Sequence, residues 1–429
     1  MPGKLTCGYG GMGVETSLVD YRRKQKRDKG RALTNNYFSN KVYIYTFIMS
    51  ILVVLVHSVN FASDNSTLLL MLESSDLNGI DLGGMTGASA HIENFFSNAL
   101  GQAAVPGFFM MSGYMFYRNL GGFLDIAEKW KRRFTTILVP FGAWNFIYYI
   151  IYVVMGRAGF SIAELNAAVV SYKYNPVFWY LYQLILLTLL APVFYFLLKY
   201  RAAAFGAIIL YLCFILNGGD IPFVNEDAVF YYFVGGLAAR FFGAFFEGEK
   251  RQRYIIGFML LLFFWGTQIF TTVGMQNFVI SPVDTDSMGA FTYWYYGGDI
   301  SVCLSTMLMK LPKNILIYIL SPGGQIVVCS VRRLLLCFAI WLVLPCKQGR
   351  VHEIMKNSFF LYAVHYPIAR VVIFVLEYMN VGYHGTGEEA LRLMAYFATP
   401  VVSVIIAYNI KHMLKKYIPI SWKMLSGGR

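Results

Sequence analysis

Residues 41–61 read KVYIYTFIMSILVVLVHSVNF, and the fold follows from this stretch. At 1.5 Å per helical residue it is about one bilayer long. It is apolar almost throughout, yet it carries His57 near its far end. An imidazole inside a membrane span is costly and normally faces a partner or a water-filled cavity. At about 100° per residue, Ser50 and Thr46 fall within roughly 20° of His57. The helix therefore carries one polar stripe, Thr46–Ser50–His57, which reads as the wall of a site. The alternative is a histidine snorkelling towards the headgroups.

Working outward, the chain has 429 residues, 57% hydrophobic and 14% charged, where soluble domains have roughly 25% charged residues. Repeated apolar runs of about 20 residues define an all-α, polytopic helical membrane protein; their continuous apolarity argues against a β-barrel. Ten spans are expected, near 41–61, 95–117, 134–154, 177–198, 202–217, 228–247, 254–273, 327–345, 358–378 and 393–414. The domain plan is a basic cytoplasmic segment 1–40, a transmembrane domain 41–414 and a short cytoplasmic tail 415–429. With the N-terminus inside, the inner segments hold 28 Lys and Arg and the outer ones three, so both termini are expected in the cytoplasm. The stretch 299–346, interrupted by Asp299, Lys310, Pro312, Lys313 and Pro322-Gly323-Gly324, is expected to cross once, after an amphipathic or re-entrant piece.

The net charge of +13 sits in short clusters between spans, which points to anionic lipid rather than nucleic acid. Gly8–Gly13 matches GxGxxG, but no strand precedes it. No signal peptide is read. The six cysteines, Cys7, Cys213, Cys303, Cys329, Cys337 and Cys346, show no CxxC pair and no His spacing suited to a metal; they read as packing residues. Asn65-Ser66-Thr67 matches a glycosylation sequon. His91 and His384 fall in expected outer loops, and His352 and His412 at the inner surface.

Chemistry-bearing residues recur along the spans. Ser112-Gly113-Tyr114 brings hydroxyls and a close-packing glycine into the second span. Lys129, Lys131, Arg132 and Arg133 form a cationic cluster suited to a phosphorylated ligand or to a topology signal. Trp179 opens the fourth span. In the ninth, Ser358, Tyr362 and His365 share one face within roughly 60°. Pro367 there lacks an N–H, which frees the carbonyl near Ala363.

Taken in order, VVLVH, PGFFMMSGYMFYR, KRRFTTILVPF, FWYLYQLILL, YYFVGGLAAR and SFFLYAVHYPI resemble the integral-membrane acyltransferase 3 family, from about Asn40 to the C-terminus. The resemblance implies a multi-pass cell-membrane protein, bacterial plasma membrane being the expected location. It also implies transfer of an acyl group, commonly acetyl, from cytoplasmic acyl-CoA to a carbohydrate hydroxyl, with no metal. On this reading His57, His365 and Tyr114 are the catalytic candidates; Lys131, Arg132, Arg133 and Trp179 are the donor-binding ones. The family's arginine, eleven residues before the first-span histidine, is replaced by Thr46. Lys41 or Arg133 could supply the missing charge. The rival reading is a small-molecule or amino-acid transporter built on the same bundle.

Overall fold

The computed structural model describes residues 36–58, 89, 92–93, 95–217, 219, 221–274, 322–346, 350–378 and 386–428. The Gly8–Gly13 motif, the basic run 22–31, Cys7, the sequon at Asn65, His91, the stretch 299–321 with Cys303, and His384 lie outside these residues.

Among the described residues the chain is helical, with no strand beyond one bridge, Ile221 to Val224. Helix α1 spans Asn36–His57. A π-helical turn (Phe95–Leu100) and a 3-10 turn (Gly101–Ala103) lead into α2, Ala104–Tyr117. Helix α3 is Asp125–Val154 and α4 is Ile162–Val170. Helices α5 (Trp179–Leu189) and α6 (Ala191–Leu197) form one apolar unit bent by 58°. There follow α7 (Arg201–Leu216), α8 (Glu226–Phe241), α9 (Gly243–Glu247), α10 (Arg251–Gly274), α11 (Pro322–Val343), α12 (Ser358–Tyr378), α13 (Thr386–Tyr417) and α14 (Pro419–Ser426). The described residues of each of the ten expected stretches are mostly helical. Among the described residues, five helices are long and apolar enough to cross a membrane, namely α1, α3 and the greater part of α11, α12 and α13; the bent α5–α6 pair makes up to six.

Helices suit such a chain because they satisfy their own backbone groups. At two of the prolines that break that rule, α3 supplies the repair. Pro192 has no N–H for the Thr188 carbonyl, and the Trp130 indole donates to it at 2.7 Å. Pro367 likewise frees the Ala363 carbonyl, which accepts from the Tyr148 hydroxyl at 3.0 Å. The Trp144 indole holds a third carbonyl, that of Leu425 in α14, at 3.0 Å. Beyond α14, Gly427 sits at φ +66° against the Thr136 backbone, where a side chain would be both strained and obstructed.

Two glycines bring α2 and α8 together. A Cβ on Gly113 would overlap the Tyr232 carbonyl, and one on Gly235 the Met110 carbonyl. The SGY and YYFVGG stretches thus form one small-residue helix crossing, which places the polar start of α8 beside the first turns of α2.

Candidate functional site at the histidine pair

The stripes on α1 and α12 meet. Ser50 Oγ donates to the Ser358 carbonyl (3.3 Å) and Thr46 Oγ1 lies 3.2 Å from Ser358 Oγ. Seven residues further along each helix, two turns or about 10.5 Å, the rings of His57 and His365 lie 5.3 Å apart. The equal spacing, 50 to 57 and 358 to 365, puts two polar rungs in register on parallel faces. Tyr366 stands edge-on to His57 at 5.6 Å.

The two histidines differ in setting. His365 is fully buried, and its Nδ1 lies 2.6 Å from the Tyr362 carbonyl. A carbonyl only accepts, so Nδ1 carries a proton, and Nε2 of the neutral ring offers a lone pair with no hydrogen-bond partner among the described residues. His57 is half-buried and lines a cavity of about 390 Å³. Its other polar walls are Gln102, Asn225, Asp227, Tyr231 and Arg333, and Trp179 contributes an aromatic one.

Local sequence explains these placements. Asn225 caps α8, its Oδ1 accepting from the Ala228 N–H at 2.9 Å. Asp227 follows in the first turn, where a carboxylate is favoured by the helix dipole. Arg333 of α11 donates to it at 3.2 Å, and Ser330 also donates to Asp227. The cavity thus combines a neutralised ion pair, two amides, a phenol, an indole and an imidazole.

Of the residues singled out by sequence, His57, His365 and Trp179 gather here. Tyr114 does not: its hydroxyl donates to Glu247 Oε1 (2.8 Å), beside the Arg118–Glu247 ion pair (2.6 Å), and its ring packs on Phe38 near the start of α1. Lys131 and Arg132 are exposed and Arg133 is half-buried in the first turns of α3. Lys129 in the same turns reaches the Arg118 carbonyl at 3.4 Å, so this cluster lies towards the Lys41 end of α1. A second cavity, of about 570 Å³, opens there between Phe38, Lys41, Arg118, Glu247, Glu249 and Cys346. Sequence reading missed Gln102, Asn225, Asp227 and Tyr231; the signal for two of them was the helix cap and acidic first turn at 225–227. Among the described residues no three His, Cys, Asp or Glu side chains cluster as metal ligands.

The family model described as an acyltransferase domain matches residues 47–411. The chain belongs to this acyltransferase 3 family: a multi-pass membrane acyltransferase whose matched region runs from α1 to near the end of α13. No curated protein and no solved structure matches it.

Proposed function

We propose that the protein moves an acyl group from cytoplasmic acyl-CoA, acetyl-CoA first among them, to a hydroxyl of a cell-surface carbohydrate or its precursor. In this reading the chain crosses a bacterial plasma membrane ten times with both termini in the cytoplasm, as the Lys and Arg asymmetry of the sequence supports. The observation that carries the reading is the His57 cavity. An indole face, amides and a carboxylate around one imidazole suit a neutral polyol better than an apolar or strongly charged acceptor. The Lys41 end suits the donor. CoA carries its phosphates and its thioester at opposite ends of a flexible arm, and Lys41 and His57 stand about 24 Å apart along one helix. Lys131, Arg132 and Arg133 add cations at the same end.

In the transfer itself, His57 takes the acceptor's proton as the hydroxyl oxygen attacks the thioester carbonyl, and CoA leaves as its thiolate. His365 is a positioning residue: its Nε2, without a hydrogen-bond partner among the described residues, can accept an N–H from His57, whose ring lies 5.3 Å away. Calorimetry of the detergent-solubilised protein with acetyl-CoA, at low and moderate salt, tests the donor assignment. Saturable binding that weakens in an Arg132/Arg133 double substitution is expected. No binding of acetyl-, succinyl- or longer acyl-CoA overturns it. One observation favours the rival transport reading: the cavity is walled by the broken start of α2, with Trp179 from the head of the bent α5–α6 pair beside it. Uptake of a small polar solute into proteoliposomes without added acyl-CoA would support that reading.

A further inference from the structure

The Lys41 cavity holds a cysteine that the acyl-transfer reading does not use. Cys346 follows the end of α11 and lines the cavity at 8% exposure. Two cations converge on its sulfur. Lys41 Nζ lies 3.9 Å away, and Arg253 Nη1 also donates to it. Both cations are buried, Lys41 at 1% exposure and Arg253 at 0%. Neither is ion-paired with a carboxylate among the described residues. The remaining contact of Lys41 is the face of Trp341, 4.1 Å from the ring centroid. Arg253 otherwise donates to backbone carbonyls of Gly248, Trp341, Leu342 and Leu344 and lies 4.8 Å from the Tyr254 ring. The carboxylates nearby are Glu247, held by Arg118 and Tyr114, and Glu249 on the cavity wall.

Buried cations need a negative partner, and among the described residues the sulfur is the one side-chain atom both of them touch. As a thiol, Cys346 donates to the Gly248 carbonyl at 3.0 Å. Ionised, it gives both cations their counter-charge, and cations beside a cysteine favour the nucleophilic thiolate. Cys337, inside α11, is the contrast. It is fully buried, its sulfur donates to the Ala103 carbonyl at 3.2 Å, no cation among the described residues touches it, and it lines neither cavity.

We propose that Cys346 is a covalent modification site: a thiolate nucleophile that takes small anionic electrophiles, disulfides of low molecular weight among them, from the Lys41 cavity. In the disulfide case its sulfur attacks one sulfur of the reagent. A protein–reagent S–S bond forms, the reagent's own S–S bond breaks, and the other half leaves as a thiolate. The cationic walls select for negative charge on the reagent.

The test uses the full-length protein in detergent, with adducts assigned and timed by site-resolved mass spectrometry. Two reagent pairs differ in charge: iodoacetate against iodoacetamide, and oxidised glutathione against cystamine. Each rate is divided by that of a free cysteine amide in the same buffer. The normalised preference of Cys346 for the anionic member is expected to be about tenfold or more, the scale of one well-placed charge. Lys41→Gln should abolish that preference and Lys41→Arg keep it. A Cys346 that stays unlabelled, or that shows no charge preference in the wild-type protein, overturns the proposal. The readout needs no turnover, so it stands apart from the acyl-transfer reading.

Discussion

Sixteen residues of one helix separate Lys41 from His57, and the two ends of α1 solve opposite electrostatic problems. At the His57 end charge comes matched: Arg333 faces Asp227, and the remaining walls are amide, phenol, indole and imidazole. At the Lys41 end Arg118 has its carboxylate, Glu247, while among the described residues Lys41 and Arg253 lean on carbonyls, rings and a sulfur. A neutral, hydroxyl-bearing molecule fits the first and an anion the second. A single rod of helix thus carries two unlike ends, with Lys41 about 160° around the axis from the Thr46–Ser50–His57 stripe.

The sharpest way to break this comparison is to damage the ends separately. His57→Ala is expected to lower acyl transfer by about 10²- to 10⁴-fold, the usual worth of a positioned general base, while acetyl-CoA binding by calorimetry stays unchanged. Lys41→Gln should do the reverse, weakening donor binding while turnover at saturating donor persists. If both variants fail in the same assay, the ends are not distinct sites. Next in size is the ion pair. Asp227→Asn leaves Arg333 without its counter-charge in a half-buried setting and should cost roughly 3 kcal/mol in thermal unfolding. Adding Arg333→Gln should recover part of that loss.

The repaired carbonyls give a smaller effect. Tyr148→Phe should cost about 1–3 kcal/mol by leaving the Ala363 carbonyl unsatisfied. In a Pro367→Ala background the cost should fall, because the restored N–H takes over that carbonyl. The smallest effect lies away from the spans, on α4. A hydrogen bond from the Tyr174 hydroxyl, followed by those from Lys173, holds the half-exposed Glu164 carboxyl below the usual carboxylate range. A carboxyl depressed in the folded state adds stability above its unfolded pKa, and that stability is lost as pH falls through the folded one. Tyr174→Phe should therefore flatten the acid side of a melting-temperature profile slightly.

The sequence made the histidine wall legible because membrane helices are read by angle. Once Thr46, Ser50 and His57 share a face, and Ser358, Tyr362 and His365 share another, two costly imidazoles have strong reason to meet. The loose carbonyl at Ala363 was legible from Pro367 for the same local reason; its partner, 215 residues away in α3, was not. Tyr114 shows the limit of motif position. Its neighbours Gly113 and Gly235 fix a helix crossing, and that crossing carries the hydroxyl to Glu247 rather than to His57. Asp227 and Arg333 come from separate helices, and each alone reads as a boundary charge. Cys346 was legible as a cysteine only; what sets it apart is the approach of Lys41, 305 residues earlier.

The three carbonyls held by α3 also bear on how the chain is made. Ribosomal synthesis delivers α3 before α5–α6, α12 and α14. A proline-broken span entering lipid exposes a carbonyl that the hydrocarbon cannot satisfy. By then Trp130 and Tyr148 are already made and stand as waiting donors, so each proline-broken segment arrives to a prepared berth. A circular permutation that moved α3 to the end of the chain would leave the finished architecture intact on paper and remove that order of arrival.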